Sequence, residues 1–452
     1  MNIENKKGKL HISIRNLVEF IYREGDIDNR GSKLQSSDAM VAGSRIHRKI
    51  QMSMSNEYRS EVSLKYAMES DLYELTIDGR ADGIFIKETE HQLDSQYPLY
   101  WIDEIKGIYR KLELLEAPYF VHQAQAMCYA YIFSMENCLE RIGVQMTYCH
   151  LETEEKKYFQ FQYTFEEIEA WFLELLGKYK KWADFQFKWK RIRQASIKQL
   201  EFPFMYREGQ KQLVSDVYRT IYRRKNLFIQ APTGVGKTIS TIFPAVKAVG
   251  EDLADRIFYL TAKTITATVA KDTFFLLREH GYQAKVIQLT AKEKLCLCED
   301  MECNPVHCPY AKGHFDRVND AVFELLQKTD TFTREEILTQ AKKHMVCPFE
   351  MSLDVATWAD VIICDYNYVF DPNVYLKRFF QEGVKGEYIF LIDEAGSAIN
   401  NCFFFLLFLI VDTNNFVIFD ISVLLIVTII SFSSCFTSCV NCSFIKLNAF
   451  SV

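Results

Sequence analysis

Proline and glycine are scarce in this chain, 9 and 18 of 452 residues, which excludes collagen-like and Gly/Pro-rich disordered classes. Basic residues are not in excess either. With 53 Lys and Arg against 59 Asp and Glu the net charge is −6, unlike that of a histone or a basic nucleic-acid-binding arm. The first ten residues, Met1 to Leu10, lack the apolar run of a secretory leader, so a cytoplasmic location with reduced thiols is expected. The sharpest lack is local. Residues 397–452 hold three charged side chains (Asp412, Asp420, Lys446) and no Pro, Arg, Glu or His.

The length suggests about three domains, of which two are legible. Residues 1–195 read as an α/β unit. Helices cover Ile14–Tyr22 and Gly43–Gln51. A hairpin follows, with strands Leu72–Ile77 and Arg80–Ile86 about an Asp78-Gly79 turn, the dipeptide favoured in type I′ turns. Then come a strand Leu99–Lys106, a helix from about Tyr119 to Met135 and a helical stretch 165–193. Residues 196–396 form a second α/β unit, with strands Asn226–Gln230, Arg256–Thr261, Val361–Cys364 and Tyr388–Ile392 alternating with helices around a Cys-containing insertion at about 290–350. That alternation predicts a parallel, doubly wound sheet.

The most specific motif is Ala231-Pro232-Thr233-Gly234-Val235-Gly236-Lys237-Thr238, after an apolar strand and before a helix. Glycines there let backbone N–H groups wrap a phosphate. Lys237 reaches the β/γ-phosphates of ATP and the Thr238 hydroxyl ligates Mg²⁺. The strand Tyr388–Ile392 ends in Asp393-Glu394, where Asp393 would hold Mg²⁺ through water and Glu394 would polarise the attacking water.

Thirteen cysteines in a chain without a leader point to metal rather than disulfides. Cys296, Cys303, Cys308 and Cys347 are separated by six, four and thirty-eight residues, with Cys298 competing for the first position. Four soft thiolates suit zinc or a [4Fe–4S] cluster, and spacing alone leaves both open. Cys364, on an apolar strand, reads as core.

Tyr206-Arg207-Glu-Gly-Gln210, the phosphate loop, Leu260-Thr261-Ala262-Lys263-Thr264, the Cys cluster, Cys364-Asp-Tyr-Asn-Tyr368 and Asp393-Glu394-Ala occur in one order. That order resembles the first motor domain of the iron–sulfur superfamily 2 DNA helicases of the XPD/DinG type. The resemblance implies a RecA-like fold and a [4Fe–4S] cluster on Cys296, Cys303, Cys308 and Cys347. It also implies Arg207 and Gln210 on the adenine side, and single-stranded DNA at Thr261 and Lys263. Gly396 stands where the family has His. The family's 5′-to-3′ tracking needs a second motor domain, which is not legible here, so nucleotide binding without unwinding is expected.

In the first unit, Glu104 and Lys106 lie two apart on a strand and so share a face, and antiparallel pairing with the 80–86 strand would bring Asp82 beside them. Two carboxylates attract a divalent ion, His47 adds an imidazole, and Lys106 can stabilise a phosphate transition state. Asp103 points to the other face. Gln125 and Tyr129 lie one helical turn apart. The set resembles RecB-like nucleases of the PD-(D/E)XK class, which implies Mg²⁺- or Mn²⁺-dependent DNA cleavage.

Residues 178–193 carry seven Lys or Arg among Trp182, Phe185, Phe187 and Trp189, and read either as a solvated helix or as a DNA guide between the units. The tail after 396 reads as a frameshift product belonging to neither domain, with a membrane anchor second: its apolar runs of ten and seventeen residues fall short of a span. The expectation is therefore an α/β protein, a PD-(D/E)XK nuclease-like domain followed by one RecA-like P-loop domain with a Cys-rich insertion. Its partners would be ATP and single-stranded or junction DNA, with no protein partner legible. The rival readings are a nuclease with a regulatory ATP-binding module, and an inactive fragment with a membrane-associating tail.

Overall fold

The computed structural model describes residues 8–30, 36–55, 57–87, 99–230, 234–371, 374–380, 386–393, 424–431 and 442–446. Ala231, Pro232, Thr233 and Glu394 lie outside them. The chain divides into two compact units, 1–188 and 189–452, at a point inside a helix and before the 195/196 boundary expected from the sequence.

The first unit runs β1 (Gly8–Ser13), α1 (Ile14–Ile21), α2 (Ser36–Met52), β2 (Arg59–Glu69), β3 (Tyr73–Lys87) and β4 (Leu99–Ile108). It continues with α3 (Phe120–Asn137), β5 (Arg141–His150), β6 (Lys156–Thr164) and α4 (Phe165–Gln199), whose last residues belong to the second unit. The strands form one sheet in the order β1-β3-β4-β5-β6, with β2 also on β3.

The expected Asp78-Gly79 turn is absent. Strand β3 runs straight through it, because β2 pairs along β3 from Glu74 to Ile84. The turn lies earlier, where Ser70 Oγ accepts the backbone N–H groups of Leu72 and Tyr73 at 3.2 and 3.0 Å. Glycine is needed at 79 for another reason: a Cβ there would stand 2.8 Å from the Tyr129 ring.

On its other edge β3 changes partner. Tyr73–Asp78 pairs in parallel with β1, and Gly83–Lys87 pairs antiparallel with β4. Among the described residues, Gly79–Asp82 faces no strand on that edge. The sheet forks there, and Asp82 sits in the fork.

The second unit runs α5 (Gln210–Tyr222), β7 (Asn226–Gln230), α6 (Lys237–Gly250), β8 (Arg256–Leu260), α7 (Thr264–Glu279), β9 (Val286–Gln288) and α8 (Lys292–Leu295). Next come α9 (His314–Lys328), β10 (Thr331–Phe332), α10 (Arg334–His344), α11 (Pro348–Ala356) and β11 (Val361–Cys364). It ends with α12 (Asn367–Phe370), α13 (Lys377–Phe380), β12 (Glu387–Ile392), β13 (Leu424–Ser431) and β14 (Cys442–Lys446). The sheet order is β10-β9-β11-β8-β12-β13-β7-β14, parallel except where β13 meets its two neighbours.

Alternate strand residues Ile229, Ile257, Tyr259, Ile363 and Leu391 pack with α5, α6 and α7 through Val217, Ile242, Val246 and Phe274. On the opposite face Phe258 meets Phe379, Tyr388 and Phe390 at ring distances of 5.3 Å. A sheet buried on both faces is what a doubly wound α/β unit requires.

Two expectations change here. The tail is not outside both domains, since β13 lies between β12 and β7 and β14 pairs with β7. The run Leu424-Leu-Ile-Val-Thr-Ile-Ile430 is rich in β-branched residues and suits a central strand. No helix among the described residues is long and apolar enough to cross a membrane.

The second change concerns residues 178–193. Trp182 is fully buried, Phe187 packs on Tyr73 at 5.5 Å, and Trp189 Nε1 donates to Asp360 Oδ2 at 2.8 Å. These rings turn inward rather than offering a stacking platform. Of the cations, Lys178 pairs with Glu174, Lys180 with Asp184, and Arg193 with Asp360.

Candidate functional site

In the first unit the sheet fork gathers side chains from four elements. Asp82 Oδ2 accepts the backbone N–H of Ile105 at 2.8 Å, a buried amide beyond the point where β4 leaves β3. Asp82 Oδ1 lies 3.4 Å from His47 Nδ1 on α2. Glu104 is buried. Its Oε1 pairs with Lys106 Nζ at 2.8 Å, while its Oε2 has no hydrogen-bond partner. Lys106 Nζ also reaches Gln125 Oε1 at 3.3 Å, and Gln125 Nε2 reaches the Tyr129 hydroxyl at 3.3 Å. The structure thus brings His47, Asp82, Glu104, Lys106, Gln125 and Tyr129 into one cluster.

Its electrostatics follow from burial. Desolvation pushes the Glu104 carboxyl up to about 8; Lys106 opposes the shift and the Asp82 charge adds to it. Burial lowers the His47 pKa, but the carboxylates of Asp82 and Glu104 outweigh that and raise it. A buried carboxylate with an idle oxygen, beside a second carboxylate and an imidazole, has the donor chemistry of a divalent-cation site. Among the described residues no three His, Cys, Asp or Glu side chains converge closely enough to cage an ion. The fit therefore rests on donor type and on the orphaned Oε2. Asp103 lies on the other face, held by Thr147, Tyr58 and Gln145 at 2.5, 3.0 and 3.2 Å.

In the second unit, Gly234 and Gly236 adopt φ of 85° and 75°, the left-handed region open to glycine, and Gly236 caps α6 immediately before Lys237. Arg207 Nη1 donates to the Gly234 carbonyl, and Gln210 Nε2 to that of Val235 at 3.5 Å. Arg207 and Gln210 therefore hold the phosphate loop's backbone. On β8, the strand neighbouring β12, the Tyr259 hydroxyl donates to Asp393 Oδ2 at 2.8 Å, with the Thr238 side chain nearby.

Thr261 is buried, and its hydroxyl sits 2.5 Å from that of Thr266, whereas Lys263 is exposed at the start of α7.

The cysteines of the insertion share one neighbourhood. Cys298 Sγ and Cys308 Sγ are 3.6 Å apart. Cys303 is within electrostatic reach of Cys298, Cys347 and Lys292; Cys296 is within reach of Cys298. Burial pushes the Cys347 thiol up to about 11, although it caps the N-terminus of α11. Thiols grouped beside a lysine and a helix N-terminus suit a site of bound thiolates, and a four-iron cluster takes one sulfur per iron, so its ligands stand wider than those of a single ion.

Residues 278–414 match the DEAD_2 family model. That match takes in the cysteine insertion, Cys364–Tyr368 and Asp393, and it continues past residue 396, so the resemblance does not stop where the composition changes. The human Regulator of telomere elongation helicase 1 is 21% identical over 257 residues, covering 45% of this chain and 20% of that protein. The Saccharomyces cerevisiae General transcription and DNA repair factor IIH helicase subunit XPD/RAD3 is 24% identical over 238 residues, covering 44% and 30%. A solved XPD helicase structure shares 20% identity, 43% of this chain and 33% of that one, with a TM-score of 0.30. The chain thus spans about a fifth of the human relative's length, and its second unit is similar in sequence to XPD-type helicases.

Sequence reasoning assigned no role to Tyr259, Arg15 or His122, nor to Tyr366 within the Cys364–Tyr368 motif. Arg15 on α1 is within electrostatic reach of Glu104, and His122, three residues before Gln125, is within reach of Lys106 and Arg15. Tyr259 precedes Leu260-Thr261, and only the strand alternation that places it over α6 could have drawn attention to it.

Proposed function

We propose that this chain joins the ATP-binding unit of an XPD-type DNA helicase to a metal-dependent DNA nuclease. The two left-handed glycines that lead into α6 at Lys237, together with Asp393 directly after strand β12, carry the motor reading. The DEAD_2 match and the helicase relatives support it. In this reading Lys237 contacts the β/γ-phosphates, Thr238 and Asp393 hold Mg²⁺, and Glu394 positions the attacking water. The exposed residues around Lys263 meet single-stranded DNA, while the buried Thr261 shapes their turn. From the helicase resemblance we infer 5′-to-3′ movement and a role in DNA repair.

Cys303, Cys308 and Cys347 would hold a [4Fe–4S] cluster, with Cys296 as the family's fourth ligand and Cys298 as its rival. The cluster would brace the insertion beside the DNA path.

The nuclease reading rests on the fork. Asp82, Glu104 and His47 would hold Mg²⁺ or Mn²⁺, which supplies charge neutralisation and an activated water. Lys106 would then leave Glu104 for the scissile phosphate, with Gln125 steering its ammonium group. Metal-dependent cleavage of labelled DNA by wild type and Glu104→Gln, with nucleotide binding measured on both, tests the two halves independently. Cleavage lost with binding kept is the expected result; cleavage by the variant at the wild-type rate contradicts the nuclease assignment.

A further inference from the structure

Tyr259 is a buried residue of β8, between Phe258 and Leu260, and its hydroxyl lies where β8 and β12 end. A phenol offers one proton and accepts through its lone pairs, whereas an ionised carboxylate only accepts. The Tyr259 proton therefore goes to Asp393 Oδ2 at 2.8 Å, and the Thr238 side chain lies near the same hydroxyl. The rest of Asp393 is held as well. Its N–H donates to the Leu260 carbonyl at 3.0 Å, and its own carbonyl accepts the Tyr366 hydroxyl. Strand register accounts for this convergence, since Leu391 pairs with Tyr259 and Ile392 with Leu260.

Asp393 is thus tied at its amide, its carbonyl and one carboxylate oxygen, leaving Oδ1 for an incoming ligand. We propose that Tyr259 is a positioning residue for nucleotide-bound Mg²⁺, holding the Asp393 carboxylate in the orientation the ion requires before it arrives. The proposal rests on the motor reading given above. Groups that orient metal ligands from behind typically change metal affinity 10- to 100-fold when removed. Tyr259→Phe keeps the ring and its packing and deletes only the hydroxyl that donates to Asp393.

The experiment is a Mg²⁺ titration of binding of a fluorescent ATP analogue to the full chain, wild type and Tyr259→Phe, with a parallel measurement in EDTA. The expected result is that the variant's half-saturating Mg²⁺ concentration rises about tenfold or more, while its Mg²⁺-free affinity stays within about twofold of wild type. A packing defect would weaken both. An unchanged or lowered Mg²⁺ requirement in the variant overturns the role of Tyr259 and leaves the motor reading standing. Absence of any Mg²⁺-dependent nucleotide binding by the wild-type chain overturns both. Tyr366→Phe, which removes the hydroxyl donating to the Asp393 carbonyl, is the second variant; a smaller rise than that of Tyr259→Phe supports the assignment, and an equal or larger one overturns it.

Discussion

Asp82 Oδ2 accepts the Ile105 amide at 2.8 Å, so a side chain completes the ladder where β3 and β4 part, and the same carboxylate meets His47 through its other oxygen. Structure and chemistry are separable at this residue. Asp82→Ala leaves the buried Ile105 N–H without an acceptor and should cost about 1–3 kcal/mol of stability. Asp82→Asn keeps an acceptor oxygen and should cost less, yet lose metal-dependent cleavage as fully as Ala. Urea denaturation beside a cleavage assay reads both.

Glu104 gives a pH signature. Its folded-state pKa, about 8, lies above the ordinary 4.5, so the folded metal-free protein binds the proton more tightly than the unfolded chain does. Stability from this group is full below about 4.5 and declines as pH rises through about 8. With EDTA present, the denaturation midpoint of wild type should fall between pH 5 and pH 8 more than that of Glu104→Gln. Parallel pH profiles for the two proteins would remove Glu104 as the cause.

Asp360 carries a buried polar knot, accepting from Trp189 Nε1 at 2.8 Å, Arg193 Nη1 at 2.6 Å and the Lys285 amide at 2.7 Å. Lys285 Nζ lies 4.2 Å from the Trp189 ring centre and pairs with Asp330. Removing one partner of a buried pair strands the other, and Asp360→Ala should destabilise the second unit by about 3–5 kcal/mol. Circular dichroism melts of the variant check this.

The cysteines yield a ligand test. Cys303→Ser, Cys308→Ser and Cys347→Ser should each lose bound iron and its visible absorbance. Cys296→Ser should do so if the family position holds the fourth ligand, and Cys298→Ser if the sulfur 3.6 Å from Cys308 does. Iron and labile sulfide analysis of the five variants assigns the set.

Much of this was legible in the sequence because the signals were short-range. Gly234, Gly236 and Lys237 announce their loop by spacing, and Glu104-x-Lys106 announces a shared strand face. The Asp78-Gly79 signal misled for a physical reason: a turn dipeptide competes with strand pairing, and the long β2 ladder won. That glycine answers to Tyr129, fifty residues on. The aromatic residues of 178–193 look identical in sequence whether they stack on bases or fill a core, and only the fold shows them turned inward. Tyr259 was invisible because one buried tyrosine in an apolar strand carries no pattern.

One comparison separates a metal-dependent nuclease joined to a nucleotide-binding motor unit from its rivals. DNA cleavage in Mn²⁺ and Mg²⁺ is measured for wild type, Glu104→Gln and Lys237→Ala, with ATP-analogue binding recorded on the same preparations. Glu104→Gln should lose cleavage and keep nucleotide binding, and Lys237→Ala should lose nucleotide binding and keep cleavage. Loss of both functions in either variant, or cleavage by Glu104→Gln at the wild-type rate, would contradict that joint assignment.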